Sequence, residues 1–174
     1  DFEVKLQSIL AAEAELKAEW PKVPEHPLEI PPLHFKTPSG QELILEDWLF
    51  HLRQKSSEEQ RYALIERTPS QIYDKSKPRL EKLTALWVRH LAAHASGISL
   101  SSYLIGIDGQ IALPAMIPRE KALAHLERLV EAYETGLSAP LPVSPKTAFA
   151  SFVKPDTSPE SRLKALRVAY EGTF

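Results

Sequence analysis

Cysteine is absent from this sequence of 174 residues. Its absence excludes disulfide bridges, thiolate nucleophiles and cysteine-ligated zinc, and it suits a reducing compartment. Long apolar runs are also missing, since none approaches the ~20 residues that a membrane-spanning helix needs. Nor is there an excess of positive charge: 21 Lys and Arg stand against 23 Asp and Glu, for a net charge of −2. Any contact with nucleic acid must therefore come from a local basic patch and not from the net charge.

The composition is typical of one globular domain. Apolar residues make up 43% of the chain and charged residues 25%, which excludes wholesale disorder. A domain of this length buries roughly 70% of the surface that its unfolded chain exposes. No internal repeat or low-complexity tract is visible, and we predict a single domain over residues 1–174. Because the chain has no initiator Met and stops at "AYEGTF", we interpret it as a piece of a longer polypeptide.

Helix and strand signals alternate in the first half of the chain. The apolar spacing predicts a helix over residues 1–20, which Pro21 ends. The proline-rich stretch 21–32 is predicted to be an irregular, extended connector, because its prolines remove backbone donors and restrict φ. A hairpin that turns at residues 38–40 is expected next, and "RYALIER" is expected to be a strand. The segment 43–53 between them fits both a helix and a strand, and both alternatives stay open.

The second half contains stronger signals. Residues 80–96 are predicted to form a helix that ends before a glycine. The segment "SYLIGIDGQIAL" is predicted to be a hairpin with a type I′ turn at Asp108-Gly109. Pro118 is expected to open a helix that runs to Gly136, and a last helix is expected in "SPESRLKALRVAYEG". Helices outnumber strands, and the pattern predicts a mixed α/β fold.

Two histidines invite a metal-site interpretation. His90 and His94 are four residues apart on a predicted helix, and this spacing can present two imidazoles to one metal ion. The metalloprotease pattern requires Glu directly after the first His, but Leu91 stands there, and no third ligand is evident. His94 also falls within the apolar stripe of the helix, so we interpret the pair as structural. Asp108 is likewise explained by turn chemistry and not by catalysis.

The basic residues between positions 75 and 90 form a candidate DNA-binding surface. Lys82 and Arg89 are two helical turns apart, so they share a face that points away from the apolar stripe. Such a face can follow a phosphate backbone, and the alternative is an ordinary solvated helix face. The candidate DNA-binding residues are Lys75, Lys77, Arg79, Lys82 and Arg89.

A stiff apolar strap, "LSAPLPVSPKTAF", follows the helix that Pro118 opens, and a short helix is expected to begin in it, with Ser144 as N-cap and Pro145 at N1. Because φ of a proline is already restricted, ordering such a segment costs little conformational entropy. The strap is therefore suited either to brace the fold or to offer a rigid surface to another subunit. The candidate partner-contact residues are Pro140, Leu141, Pro142, Val143, Pro145 and Lys146.

Four signatures, in this order, resemble one family. They are "RLEKLTALWVRHLAAHASG", "SSYLIGIDGQIALPAM", "ALAHLERLVEAYETGLSAPLPVSPKTAFA" and "LKALRVAYEGTF". Together with "LEDWLFHLR" upstream, they are similar to the C-terminal region of the RecC family, the gamma subunit of exodeoxyribonuclease V. The resemblance covers residues 43–174. Because the family's chain continues past the Ala-Tyr-Glu-Gly step, the resemblance implies that a last portion of the domain is missing here.

The resemblance carries several implications. It implies a subunit of a three-protein, ATP-driven helicase–nuclease that processes double-stranded DNA ends for recombinational repair, with the beta and alpha subunits as partners. The C-terminal domain is implied to have a restriction-endonuclease-like core of the PD-(D/E)XK type that has lost its active site. It would help to part the duplex and to hold the other subunits. The complex uses ATP and Mg²⁺, but we expect no cofactor in this domain. The resemblance also implies the bacterial cytoplasm, without a membrane contact.

A working nuclease site is the main alternative. It would need an upstream acid such as Asp47, and a second acid with a lysine, Asp74 with Lys75 or Lys77, converging on Mg²⁺. In a strand, residues one or three apart point to opposite faces, so we expect neither lysine to share a face with Asp74. A third possibility is a subunit-interaction module that never touches DNA. We predict a non-catalytic scaffold and DNA-handling domain.

Overall fold

The computed structural model describes residues 2–56, 60–138, 158, 160, 161, 163 and 164. Within them, three helices and eight strands are assigned. They are, in chain order, α1 (Phe2–Glu19), β1 (Leu28–Lys36), β2 (Glu42–Leu49), β3 (Leu52–Gln54), β4 (Arg61–Arg67), β5 (Tyr73–Asp74), β6 (Lys77–Pro78), α2 (Leu80–Ala95), β7 (Ser99–Gly106), β8 (Gly109–Leu113) and α3 (Arg119–Ser138). The described part of the chain contains no helix that is long and apolar enough to cross a membrane.

A four-stranded mixed sheet lies at the centre of the fold, in the order β3-β4-β7-β8. The strands β4 and β7 pair in parallel, and β3 and β8 pair with them in antiparallel fashion. A parallel pair needs a crossover, which α2 supplies between β4 and β7. The helix buries Leu83 and Leu86 in one apolar cluster with Leu100 and Leu104 of β7. The predicted α/β class with helices on a small mixed sheet is confirmed.

The other helices cover separate parts of this core. In α3, Leu126 and Val130 pack in one cluster with Leu91 and Ala95 of α2. The helix α1 belongs to a third cluster, in which its buried residues pack with Ile105 of β7. All three described helices lie where the apolar spacing predicts them, and α3 runs two residues past Gly136.

The strands β1 and β2 form a two-stranded antiparallel sheet. Their turn contains Gly40 with φ of 86°, as the predicted hairpin requires. The ambiguous segment 43–53 contains no helix: it holds most of β2, a turn at residues 50 and 51, and the first part of β3. The prediction of an irregular connector over 21–32 is wrong in its second part, because β1 begins at Leu28. Its two consecutive prolines lie where the β1–β2 register shifts, between Ile30 and Leu33, and a strand with only one partner tolerates such missing donors.

The hairpin of β7 and β8 forms where "IDG" predicts it, but with a different turn. Gly106 pairs with Gly109, which leaves Ile107 and Asp108 as the loop. Neither loop residue has a positive φ, and the positive value of 145° belongs to Gly109. A type I′ turn needs positive φ at both loop residues, so that prediction is wrong. The Asp108 side chain instead contacts a neighbouring segment of backbone, as described below.

The two histidines of α2 are buried, and each has one ring nitrogen within hydrogen-bonding distance of β7. His90 is fully buried, and its Nδ1 lies 3.0 Å from Ser102 Oγ. His94 is also buried, with Nε2 3.1 Å from the carbonyl oxygen of Leu100. Burial, and then the nearby His94, lower the pKa of His90 to about 4. Among the described residues, no group of three His, Cys, Asp or Glu side chains is arranged to hold a metal ion.

Candidate nucleic-acid interface

Four of the five candidate DNA-binding residues lie together, on a short hairpin and the first turn of α2. The strands β5 and β6 pair in antiparallel fashion, so that Asp74 lies opposite Lys77. Lys75 lies in the two-residue turn between them with φ of 59°, a value that favours glycine. Arg79 precedes α2, and Lys82 follows one turn later. We call Tyr73–Arg79 together with Lys82 the basic hairpin.

Contacts from the β7–β8 turn hold the basic hairpin in place. Asp108 Oδ1 accepts a hydrogen bond of 2.7 Å from the backbone N–H of Ile72, and Oδ2 accepts one of 3.0 Å from that of Tyr73. The Tyr73 hydroxyl donates to the carbonyl oxygen of Gln110 at 2.8 Å. The N–H of Arg79 donates to the carbonyl oxygen of Ile72 at 2.8 Å and closes the base of the hairpin. Asp108 therefore has a structural role.

The positive charge of the basic hairpin is accessible. Lys75, Lys77 and Lys82 are exposed, and Arg79 is partly exposed. Within the described chain, no carboxylate lies within 4.0 Å of any of these four cationic groups. Four cationic side chains stand against the one carboxylate of Asp74 on this braced element, so the basic hairpin is a local positive patch in a chain of net charge −2. Such a patch attracts a phosphate backbone by charge without reading its sequence.

Arg89 does not belong to this patch. Its guanidinium forms an ion pair with Glu66 of β4. It lines two pockets that no residue of the basic hairpin lines. Lys82 and Arg89 keep their spacing of two turns along α2, but Arg89 is paired with a carboxylate, whereas Lys82 has no carboxylate partner among the described residues.

The residues of the nuclease alternative are distributed over two separate sheets. Asp47 lies on β2, where its Oδ1 accepts a hydrogen bond from the N–H of Trp48. The pocket that Asp47 lines contains neither Asp74 nor either candidate lysine. The parity argument for Asp74 and Lys77 is wrong, however. Because the chain reverses at Lys75, the two residues become cross-strand partners, which lie on the same face of the hairpin.

Two pockets that share part of their lining were not anticipated from the sequence. The larger, of about 620 Å³, is lined by side chains from α1, β3, β4 and α2. The smaller, of about 330 Å³, lies at the end of β2 and shares His51, Ile65, Glu66 and Arg89 with it. We call the two together the charged groove. Its residues are spread from Glu13 to Arg89, so no local sequence pattern reveals it.

The larger pocket contains four cationic and two anionic side chains. Glu13 accepts from Lys17 and Arg67, each at 2.8 Å. The Lys17 hydrogen bond, aided by Arg67, holds the pKa of Glu13 below its ordinary value, although burial acts in the opposite direction. Arg53 donates to the carbonyl oxygens of Trp20 and Pro21, at 2.8 and 2.9 Å, and so keeps its charge unneutralised.

The strap residues Pro140, Leu141, Pro142, Val143, Pro145 and Lys146 lie outside the described residues. Most of the predicted last helix does so too.

Comparison with known proteins supports the resemblance carried by the sequence signatures. The family model of the RecC C-terminal domain matches residues 2–154. No curated protein matches the chain. Since the family match covers most of the 174 residues, the chain belongs to the RecC family, whose members take part in the DNA processing of the exodeoxyribonuclease V complex.

Proposed function

We propose that this domain is a non-catalytic scaffold and DNA-handling part of the ATP-dependent helicase–nuclease, acting on double-stranded DNA ends in the bacterial cytoplasm. The observation that carries the proposal is the basic hairpin. Lys75, Lys77, Arg79 and Lys82 are unpaired with any described carboxylate, and the hairpin is anchored at its base through Ile72, Tyr73 and Arg79. An anchored cationic hairpin loses little conformational entropy when it contacts phosphates, which favours binding.

The fold proposal is a restriction-endonuclease-like core that has lost its active site. Supporting it are the mixed four-stranded sheet, the helix α2 that crosses between its parallel strands, and the helix α1 packed on β4 and β7. The loss of activity is supported by the separation of Asp47 from Asp74 onto different sheets. An active site of this type needs its acids close enough to bind one Mg²⁺ ion.

The partners in this proposal are the beta and alpha subunits and the duplex end. We assign the subunit contact to the strap residues Pro140, Leu141, Pro142, Val143, Pro145 and Lys146, because the sequence places apolar residues between prolines, whose restricted φ lowers the entropy cost of a contact. ATP and Mg²⁺ act in the other parts of the complex under this proposal.

Salt-dependent binding to a forked duplex tests the DNA-handling role. The test variant replaces Lys75, Lys77, Arg79 and Lys82 by Gln. The control variant replaces four exposed cations elsewhere, Lys36, Arg61, Lys121 and Arg128, by Gln, so both variants have the same net charge. Each duplex phosphate contact contributes about 0.9 to the slope of log K against log salt. We expect the test variant to lower the slope by about 3 to 4 and the control variant to leave it nearly unchanged.

Three other outcomes contradict parts of the proposal. Equal losses in the two variants would show that overall charge, and not the basic hairpin, drives binding. Absence of binding in the wild type would favour a pure subunit-interaction module. Cleavage of the fork on addition of Mg²⁺, abolished by Asp74→Asn, would establish the nuclease alternative, for which the same-face pair of Asp74 and Lys77 gives a structural reason.

A further inference from the structure

We propose that a pocket at one end of the central sheet binds a small organic carboxylate that carries an aromatic ring. The pocket has a volume of about 320 Å³ and lies where β4 and β7 begin and where α1, β3 and β8 have ended. These termini meet because β3 and β8 run antiparallel to β4 and β7. No lining residue is shared with the charged groove or the basic hairpin. We call it the sheet-end pocket, and its walls include Trp20, Lys55, Arg61, Ser101, Tyr103 and Met116.

Hydrogen-bonding groups without a protein partner line this pocket on two neighbouring strands. Ser99, Ser101 and Tyr103 alternate along β7, so their side chains lie on one face of the sheet. Arg61 begins β4 and is the register partner of Ser99. Among the described residues, neither the three hydroxyls nor the Arg61 guanidinium has a hydrogen-bond or ion-pair partner. A ligand with acceptor oxygens can therefore bind to them without breaking a contact within the protein.

The charge of the sheet-end pocket favours a monoanion. Its lining contains two cationic side chains, Lys55 and Arg61, and one anionic side chain, Glu19. Glu19 lies 3.0 Å from the Lys55 ammonium, which is 44% exposed and keeps N–H donors for a further acceptor. The planar Arg61 guanidinium can donate two parallel hydrogen bonds to the two oxygens of a carboxylate. One carboxylate neutralises the excess positive charge, whereas a phosphate monoester carries more than one negative charge.

The other walls favour an aromatic ring next to the carboxylate. Trp20 is buried, and Tyr62 and Tyr103 are partly exposed, so the pocket contains three aromatic side chains. Aromatic rings attract one another in offset and edge-to-face arrangements. Met116 is 81% exposed, and its flexible thioether adapts to a ring and contacts it favourably. A volume of about 320 Å³ is near the lower end of the range for small-molecule sites, which favours a small molecule over a polymer.

Titration of benzoate into the ¹⁵N-labelled chain tests the inference, with the indole N–H signals of the three tryptophans as the readout. Substitution of each tryptophan by Phe in turn assigns the signals. We expect the Trp20 signal to shift in a saturable manner, because the ring of benzoate packs next to it. Trp48 and Trp87 do not line the pocket and serve as internal controls. A ligand of this size is expected to bind with a dissociation constant in the millimolar range. Benzamide, the neutral analogue, should bind at least about tenfold more weakly.

Substitutions of single side chains assign the binding to the proposed groups. Arg61→Gln should weaken benzoate binding at least about tenfold, and Arg61→Lys should weaken it less, because an ammonium keeps the charge without the planar pair of donors. Tyr103→Phe keeps the ring and should weaken binding about two- to tenfold. The matched control, Arg128→Gln, removes an exposed cation of α3 outside the pocket and should leave binding unchanged. Circular dichroism and urea unfolding show whether each variant keeps the fold of the wild type.

Several outcomes would overturn the inference. One is the absence of a saturable shift of the Trp20 signal at millimolar benzoate. Others are equal binding of benzoate and benzamide, or equal losses in Arg61→Gln and Arg128→Gln. Tighter binding of phenyl phosphate than of benzoate would refute the assignment to a carboxylate.

The measurement is independent of the proposed function. Arg61 belongs to the control variant of the forked-duplex experiment, so we expect Arg61→Gln to lose benzoate binding and to keep fork binding. If the basic-hairpin variant failed to weaken fork binding, the DNA-handling role would be refuted and the benzoate result would stand.

Discussion

Removal of the Asp108 carboxylate is expected to release the basic hairpin from the rest of the domain. In Asp108→Ala, the N–H groups of Ile72 and Tyr73 lose acceptors that lie 2.7 and 3.0 Å away. Each hydrogen bond contributes about 1 kcal/mol net, and the exposed position of Asp108 lets water replace part of the loss. We therefore expect a decrease of about 2 kcal/mol in the free energy of unfolding. Asp108→Asn keeps one carbonyl oxygen, so about half of that decrease is expected.

Urea unfolding followed by circular dichroism measures the stability change, and amide hydrogen exchange locates it. Faster exchange is expected at the Ile72 and Tyr73 amides, since local opening no longer breaks a bond to Asp108. Forked-duplex binding should also weaken, although no cationic side chain has been removed. The reasoning is refuted if Asp108→Ala unfolds like the wild type and these two amides exchange at their original rates.

Two further perturbations test other parts of the fold. Because burial lowers the pKa of His90 to about 4 from 6.5, the unfolded chain binds a proton between these pH values that the folded chain does not. Stability is therefore fully present above about pH 6.5 and falls by up to about 3 kcal/mol as the pH drops to 4. Urea unfolding across this range should show a flatter profile for His90→Gln, and identical profiles would contradict the assignment to His90. A Cβ at Gly106 would lie 2.7 Å from Ile72 Cγ2 and 2.8 Å from the Ser70 carbonyl oxygen. We expect Gly106→Ala to destabilise the domain by about 1–3 kcal/mol by thermal unfolding. Its control, Gly136→Ala in α3, meets no atom within 4 Å and should stabilise the helix slightly.

Elements with strong local signals were predicted correctly. The helix α2 has regular apolar spacing and a glycine just after its end, and Gly97 has φ of 80°. The β7–β8 hairpin follows from two apolar runs around Asp108-Gly109, although its turn type did not. Each of these signals depends only on residues that are neighbours in the sequence, so the local pattern is enough to predict the element.

Elements that depend on distant partners were missed. The strand β1 begins inside a proline-rich stretch, because its register is set by β2 and not by its own propensity. The β5–β6 hairpin has almost no apolar alternation, and its anchor, Asp108, lies more than 30 residues along the chain. The prediction that Asp74 and Lys77 lie on opposite faces was wrong because the two residues belong to different strands. Alternation along one strand does not apply across a turn.

The sequence alone determined the RecC family, the α/β class and the basic cluster between positions 75 and 82. All three can be recognised from the order and the types of residues that are neighbours in the chain. Only the tertiary structure decided which cationic side chains are paired with a carboxylate and which are not. It paired Arg89 with Glu66, and it assembled the charged groove from α1, β3, β4 and α2. Electrostatic contacts act between groups that are close in space, and proximity between residues as far apart as Glu13 and Arg67 arises only when helices and strands pack around one core.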